Sequence, residues 1–100
     1  MSIRHIVTWG MAAADAPTRA AHAAEVAARL QALDGVVESI RSLSVGVNVL
    51  DIAGNADVAL VADFDDAAGL EAYQTHPAHQ AVVGYIRSVT GIRSAVDVEI

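Results

Sequence analysis

Among its 100 residues the chain has no cysteine and no lysine, and only four aromatic residues and two prolines. The lack of cysteine excludes a disulfide frame, a thiolate nucleophile and a thiolate metal site. With six arginines as the only fixed cations against 12 acidic residues, the net charge is −6 and the pI about 4.8. That sign repels phosphate backbones, so nucleic acid is not an expected partner. Long apolar runs are missing as well. Mean hydropathy is high at +0.41, yet no stretch approaches the roughly 18 continuous apolar residues of a membrane span. What is present is 54% hydrophobic residues with only 18% charged ones, which excludes disorder and points to a packed core. The length fits one domain spanning residues 1–100. A domain this small leaves much of its surface in water, and few charges are available to cover it, so contact with a second subunit is expected.

Periodicity places the elements. Ile3, His5, Val7 and Trp9 alternate with Arg4, Ile6 and Thr8, as in a strand. Arg4 and His5 before the apolar run Ile6 to Ala14, with Ala14-Asp15-Ala16 behind it, imitate a signal peptide. Thr8 and Gly10 interrupt that run and the segment reads as a strand, so the expected location is the cytoplasm. Gly10 to Pro17 reads as a loop, and Thr18 as the N-cap of a helix over Arg19 to Leu33. Its inner stripe is Ala23, Val26, Ala27, Leu30 and Leu33, while His22, Glu25 and Arg29 share the wet flank, the last two as an i,i+4 pair. Val36 to Val47 and Asp57 to Phe64 alternate as two more strands around a polar turn region. Asp65 or Asp66 caps a short helix to Tyr73, and Pro77 then opens a second helical piece to about Val89. Ile92 to Ile100 closes the chain as a strand. The order β-α-β-β-α-β with a broken second helix predicts an α+β, ferredoxin-like fold, a four-stranded antiparallel sheet with helices on one face. Ile6, Thr8, Ala59 and Val61 put apolar or small residues on the other face, so two sheets pairing face to face as a homodimer are expected.

Candidate chemistry gathers at Tyr73-Gln74-Thr75-His76-Pro77-Ala78-His79. His79, Val82, Val83 and Ile86 fall at i, i+3, i+4 and i+7, which turns the imidazole toward the sheet. A buried imidazole needs hydrogen-bond partners, and Tyr73 and His5 are the polar residues within reach of that side. One reading makes His79 a general base with Tyr73 steadying an enolate; the other makes the trio a self-satisfied piece of core. His76 and His79 form an HxxH pair without a third ligand at metal spacing, and His22 reads as solvated. Asp63, Asp65 and Asp66 suit helix capping better than cation binding, and Trp9 and Phe64 suit core. No dinucleotide fingerprint, phosphate loop or nucleophile elbow is present, so no cofactor and no metal are expected.

Taken together, Ile3-Arg4-His5-Ile6-Val7, Gly46-Val47-Asn48, Asp57, Phe64, Leu70 to Tyr73, His76-Pro77-Ala78-His79, Arg93 and Val96-Asp97 resemble the stress-responsive A/B barrel domain (Dabb) family. The resemblance covers nearly the whole chain. It implies ferredoxin-like subunits that pair sheet to sheet into a dimeric α+β barrel. A plant relative, olivetolic acid cyclase, closes a linear poly-β-ketone by an aldol reaction without a cofactor. By motif position its base is similar to His79, its assisting tyrosine to Tyr73 and a further pocket histidine to His5. The resemblance therefore implies either a cofactor-free polyketide cyclase or isomerase-like enzyme acting on a small hydrophobic or polyketide-like ligand, or a non-catalytic stress-response or small-ligand-binding dimer. A cofactor-free monooxygenase is a third option by fold analogy.

Overall fold

A computed structural model describes the whole chain, Met1–Ile100. The elements run β1 (Ile3–Met11), α1 (Ala16–Gln31), β2 (Ser42–Val47), β3 (Val58–Phe64), α2 (Ala67–Thr75), α3 (Pro77–Val89) and β4 (Thr90–Glu99). The strands form one antiparallel sheet in the order β2-β3-β1-β4. This is the ferredoxin-like α+β arrangement expected from the order of elements. Alternation decides which face is covered. Ile3, His5, Val7, Trp9 and Met11 of β1 and Val58, Leu60, Ala62 and Phe64 of β3 are buried, with their neighbours between them partly open. All of these buried residues but Ile3 and His5 join Ala23, Val26 and Leu30 of α1, Tyr73 of α2 and Ile86 and Val89 of α3 in one core. Each large side chain fully buried there contributes on the order of 1.5–3 kcal/mol.

The opposite face carries no helix. Ile6 stands between Val61 and Val96 in register there, and Val98 and Ile92 continue the apolar strip along the exposed edge strand. Arg4 opens the same face with a two-pronged contact to Asp63, 2.8 and 3.0 Å. The acidic residues near the end of β3 thus divide their work: Asp63 holds Arg4, Asp65 pairs with Arg41, and Asp66 caps α2 by accepting from the Gly69 N–H at 2.8 Å. No helix is long and apolar enough to cross a membrane.

Local details depart from the sequence reading where backbone chemistry outweighs pattern. Helix α1 starts earlier because Asp15, not Thr18, is the N-cap, accepting from the Thr18 N–H at 3.0 Å and its hydroxyl at 2.6 Å. Pro17 then sits in the first turn, where a missing N–H costs nothing. Strand β2 begins only at Ser42. From Leu33 to Ile40 short-range bonds such as Val36 N–H to the Leu33 carbonyl wind the chain into turns, and Gly35 supplies the positive φ of 83° that they need. His22 is half-buried, not solvated, with Nδ1 out of water and unpaired, because it lies one turn before buried Val26 on the helix surface.

Candidate functional site

The break between α2 and α3 builds the site. Pro77 drives His76 into an extended conformation (φ −62°, ψ 135°), and α2 stops at Thr75. The Ala78 N–H, which an unbroken helix would give to the Gln74 carbonyl, goes instead to Nδ1 of His76 at 3.0 Å. His76 is therefore spent as the N-cap of α3. The released Gln74 carbonyl is taken up by side chains of the new helix, His79 Nδ1 at 3.1 Å and Gln80 Nε2 at 2.5 Å. A carbonyl can only accept, so neutral His79 carries its proton on Nδ1 and keeps the lone pair on Nε2. Burial is the main cause pulling the His79 pKa below its ordinary value, against the Gln74 carbonyl and with help from His5, Arg93 and His76. The imidazole is thus held neutral near pH 7.

Tyr73, on the last turns of α2, is fully buried, its ring 4.3 Å from that of His79 and 5.3 Å from that of Phe64. Burial pushes its phenol up to about 12, partly countered by the charge of Arg93, so it stays a hydrogen-bond donor throughout the working range. No protein group takes that hydrogen. His5 lies on β1 with its ring 6.4 Å from that of Tyr73. It is the one histidine or formally charged type among the 17 buried residues. The register of β1 against β4 sets Asp97 directly across from it, and His5 Nδ1–H donates to Asp97 Oδ1 at 2.5 Å. That bond uses Nδ1 and leaves Nε2 as the ring nitrogen without a protein partner.

His5, Tyr73 and His79 line one cavity of about 380 Å³ between the sheet and α3. Trp9 and Leu60 form part of its apolar wall, and Gln80, Arg87, Thr90 and Arg93 the polar side. The geometry offers the Nε2 lone pair of neutral His79, the second imidazole of His5 and a phenol able to donate to a developing oxyanion, in a cavity that opens to solvent past Gln80, Arg87 and Arg93. No group of three or more His, Asp or Glu is placed to hold a metal ion.

Comparison with known proteins bears on this architecture. The family model of the Stress responsive A/B Barrel Domain (Dabb) matches residues 3–100. The chain belongs to the Dabb family. Among solved structures, a dimeric ferredoxin-like protein of unknown function from Thermobifida fusca is 31% identical, with a TM-score of 0.85 over 100% of this chain and 92% of that one. A dimeric protein of unknown function with a ferredoxin-like fold from Bacteroides fragilis is 26% identical, with a TM-score of 0.86 over 99% and 96%. A hydroxynitrile lyase from Passiflora edulis shares the fold at 14% identity, with a TM-score of 0.80 over 99% and 93%. No curated protein matches. Two of these structural neighbours are thus dimeric, and the third is an enzyme.

Some participants were not marked by residue type or spacing in this Dabb chain. Asp97 looks like an ordinary surface acid of an edge strand until antiparallel pairing puts it across from His5, 92 positions earlier. The Gln74 carbonyl is a backbone group and carries no side-chain signal at all. Arg87 and Arg93 reach the cavity from opposite sides of the α3–β4 junction, a convergence visible only once Thr90 is seen to join helix and strand without a loop.

Proposed function

We propose that this chain is a cofactor-free enzyme of carbon-acid chemistry, of polyketide cyclase or isomerase type, working as a single-domain homodimer in the cytoplasm. The carrying observation is the bond from His79 Nδ1 to the Gln74 carbonyl, which leaves Nε2 basic beside Tyr73. In this reading His79 Nε2 takes a proton from carbon next to a ketone. The C–H electrons pass into the carbonyl, and the Tyr73 hydroxyl donates to the enolate oxygen that forms. His5, steadied by Asp97, orients a carbonyl of the substrate. In a cyclisation the enolate carbon attacks a second carbonyl carbon of the same molecule, forming a C–C bond, and the His79 imidazolium returns its proton to the new alkoxide. In an isomerisation the proton returns to a different carbon. The hydroxynitrile lyase shows that a subunit of this fold can carry an enzyme. Pairing of the bare faces around Ile6, Val61 and Val96 would bury the apolar strip, and the dimeric relatives support it.

The test is turnover of β-polyketones and lactones, with α-carbon deuterium exchange read in parallel by NMR. His79→Ala should lower both by about 10²–10⁴-fold while the fold and the dimer persist; unchanged turnover refutes the assignment. One observation favours a second reading, a non-catalytic stress-response or small-ligand-binding dimer: His5, the most buried of the histidines, already has Asp97 as its partner within the chain. Binding of these compounds without exchange would select it.

A further inference from the structure

The arginines are not used alike. Arg4, Arg29 and Arg41 are paired with Asp63, Glu25 and Asp65, and Arg19 donates to the carbonyls of Ala13 and Ala14. Arg87 and Arg93 have neither an ion-pair nor a hydrogen-bond partner in the chain, and these two line the cavity that holds His5, Tyr73 and His79. The lining contains no Asp or Glu, although acids outnumber arginines 12 to six overall. Asp97 stands behind that lining, held by His5 Nδ1; a cavity lined by no acid, with two unpaired cations on its wall, is complementary to an anion.

We propose that the cavity takes a carbonyl compound bearing a carboxylate, with Arg87 and Arg93 receiving the carboxylate while the carbonyl end lies against Tyr73 and His79. A guanidinium matches a carboxylate with two parallel N–H donors. The apolar wall around Trp9, Leu60 and Ile86 suits a short hydrocarbon segment between the two ends. A phosphate head would meet the same two guanidinium groups, so the experiment below sets the two anions against each other. The inference rests on the proton-transfer reading for the reacting carbonyl, but the carboxylate contact is measured without turnover.

Calorimetric binding of octanoate, octanamide and octyl phosphate tests it. Octanoate should bind wild type at least about tenfold more tightly than octanamide. That ratio should fall to within about twofold in the Arg87→Gln/Arg93→Gln double variant, and each single variant should lower it in part. Arg41→Gln, which removes the same charge far from the cavity, should keep the wild-type ratio. In His79→Ala the octanoate preference should persist even as deuterium exchange is lost. An equal affinity for octanoate and octanamide, or a ratio unmoved by both arginine substitutions, overturns the proposal, and tighter octyl phosphate binding overturns the carboxylate assignment. Exchange that survives His79→Ala refutes the proton-transfer reading instead, so the two failures are told apart.

Discussion

Replacing Tyr73 by phenylalanine removes one oxygen from a site whose other interactions stay in place, which makes it the sharpest perturbation of the proposed chemistry. The ring packs against Phe64 at 5.3 Å and His79 at 4.3 Å, and phenylalanine keeps both contacts. The hydroxyl has no protein partner to orphan, so stability should change by less than about 1 kcal/mol. Tyr73→Ala, by contrast, empties a fully buried position and should cost about 3–5 kcal/mol, as large aromatic truncations do. If the phenol donates to an enolate, losing it should cost what one oxyanion donor is worth, on the order of 10²–10³ in kcat. The substrate carbonyl is a weaker acceptor than the enolate, so KM should move much less. Steady-state kinetics of α-carbon exchange, with a thermal melt on the same sample, measures all three quantities. A Tyr73→Phe protein with wild-type melting and kcat within threefold of wild type would remove the hydroxyl from the mechanism. A fall in rate accompanied by loss of the melt would mean that the oxygen serves the fold.

Two further outcomes follow from the same geometry. Burial lowers the His79 pKa, so the base is its neutral form and activity should be level through neutral pH. The acid limb should inflect below the ordinary histidine value of about 6.5. Because the folded state disfavours the imidazolium, this group's contribution to stability is intact above about pH 6.5 and is lost as pH falls through the lowered folded value; melts against pH in wild type and His79→Ala check the sign, and identical curves refute it. Ile6→Asp puts a carboxylate in the middle of the bare sheet face, between Val61 and Val96, and should weaken dimerisation by about 100-fold or more in sedimentation. A dimer of unchanged strength would move the interface elsewhere.

How far the sequence could be read depended on the range of the interaction. Periodicity alone recovered the alternation of Ile3, His5, Val7 and Trp9, the inner stripe of α1 and the bounds of α3 at Pro77 and Val89, since these are set by neighbours a few residues apart. The start of α1 is ambiguous in the sequence because Asp15 and Thr18 are both good caps, and which one serves depends on the path of the chain out of β1. Val36 and Val37 are β-branched and suggested a strand, but Val37 is buried in a turn, where its side chain supplies core and its backbone bonds locally. In the site, Tyr73 and His79 were legible because they lie on one broken helix. The link between His5 and Asp97 was not, since it depends on the register of the first strand against the last.

That difference bears on how the site is held together. Its two halves arise from separate sources, the helix break that supplies Tyr73 and a His79 of fixed tautomer, and the β1–β4 pairing that supplies His5 with its acid. On the helix side the proline does the positioning: with the Ala78 N–H diverted to His76, the Gln74 carbonyl is left open to the side chains of α3, and His79 and Gln80 take it. An alanine in place of Pro77 would permit a continuous helix in which Ala78 N–H returns to Gln74, leaving His79 Nδ1 without its acceptor. On the proposed reading the break serves the chemistry as well as the fold. A protein that needed the trio merely to fill core would gain helix stability by closing that break, whereas one that needs a lone pair on Nε2 of His79 must keep it open.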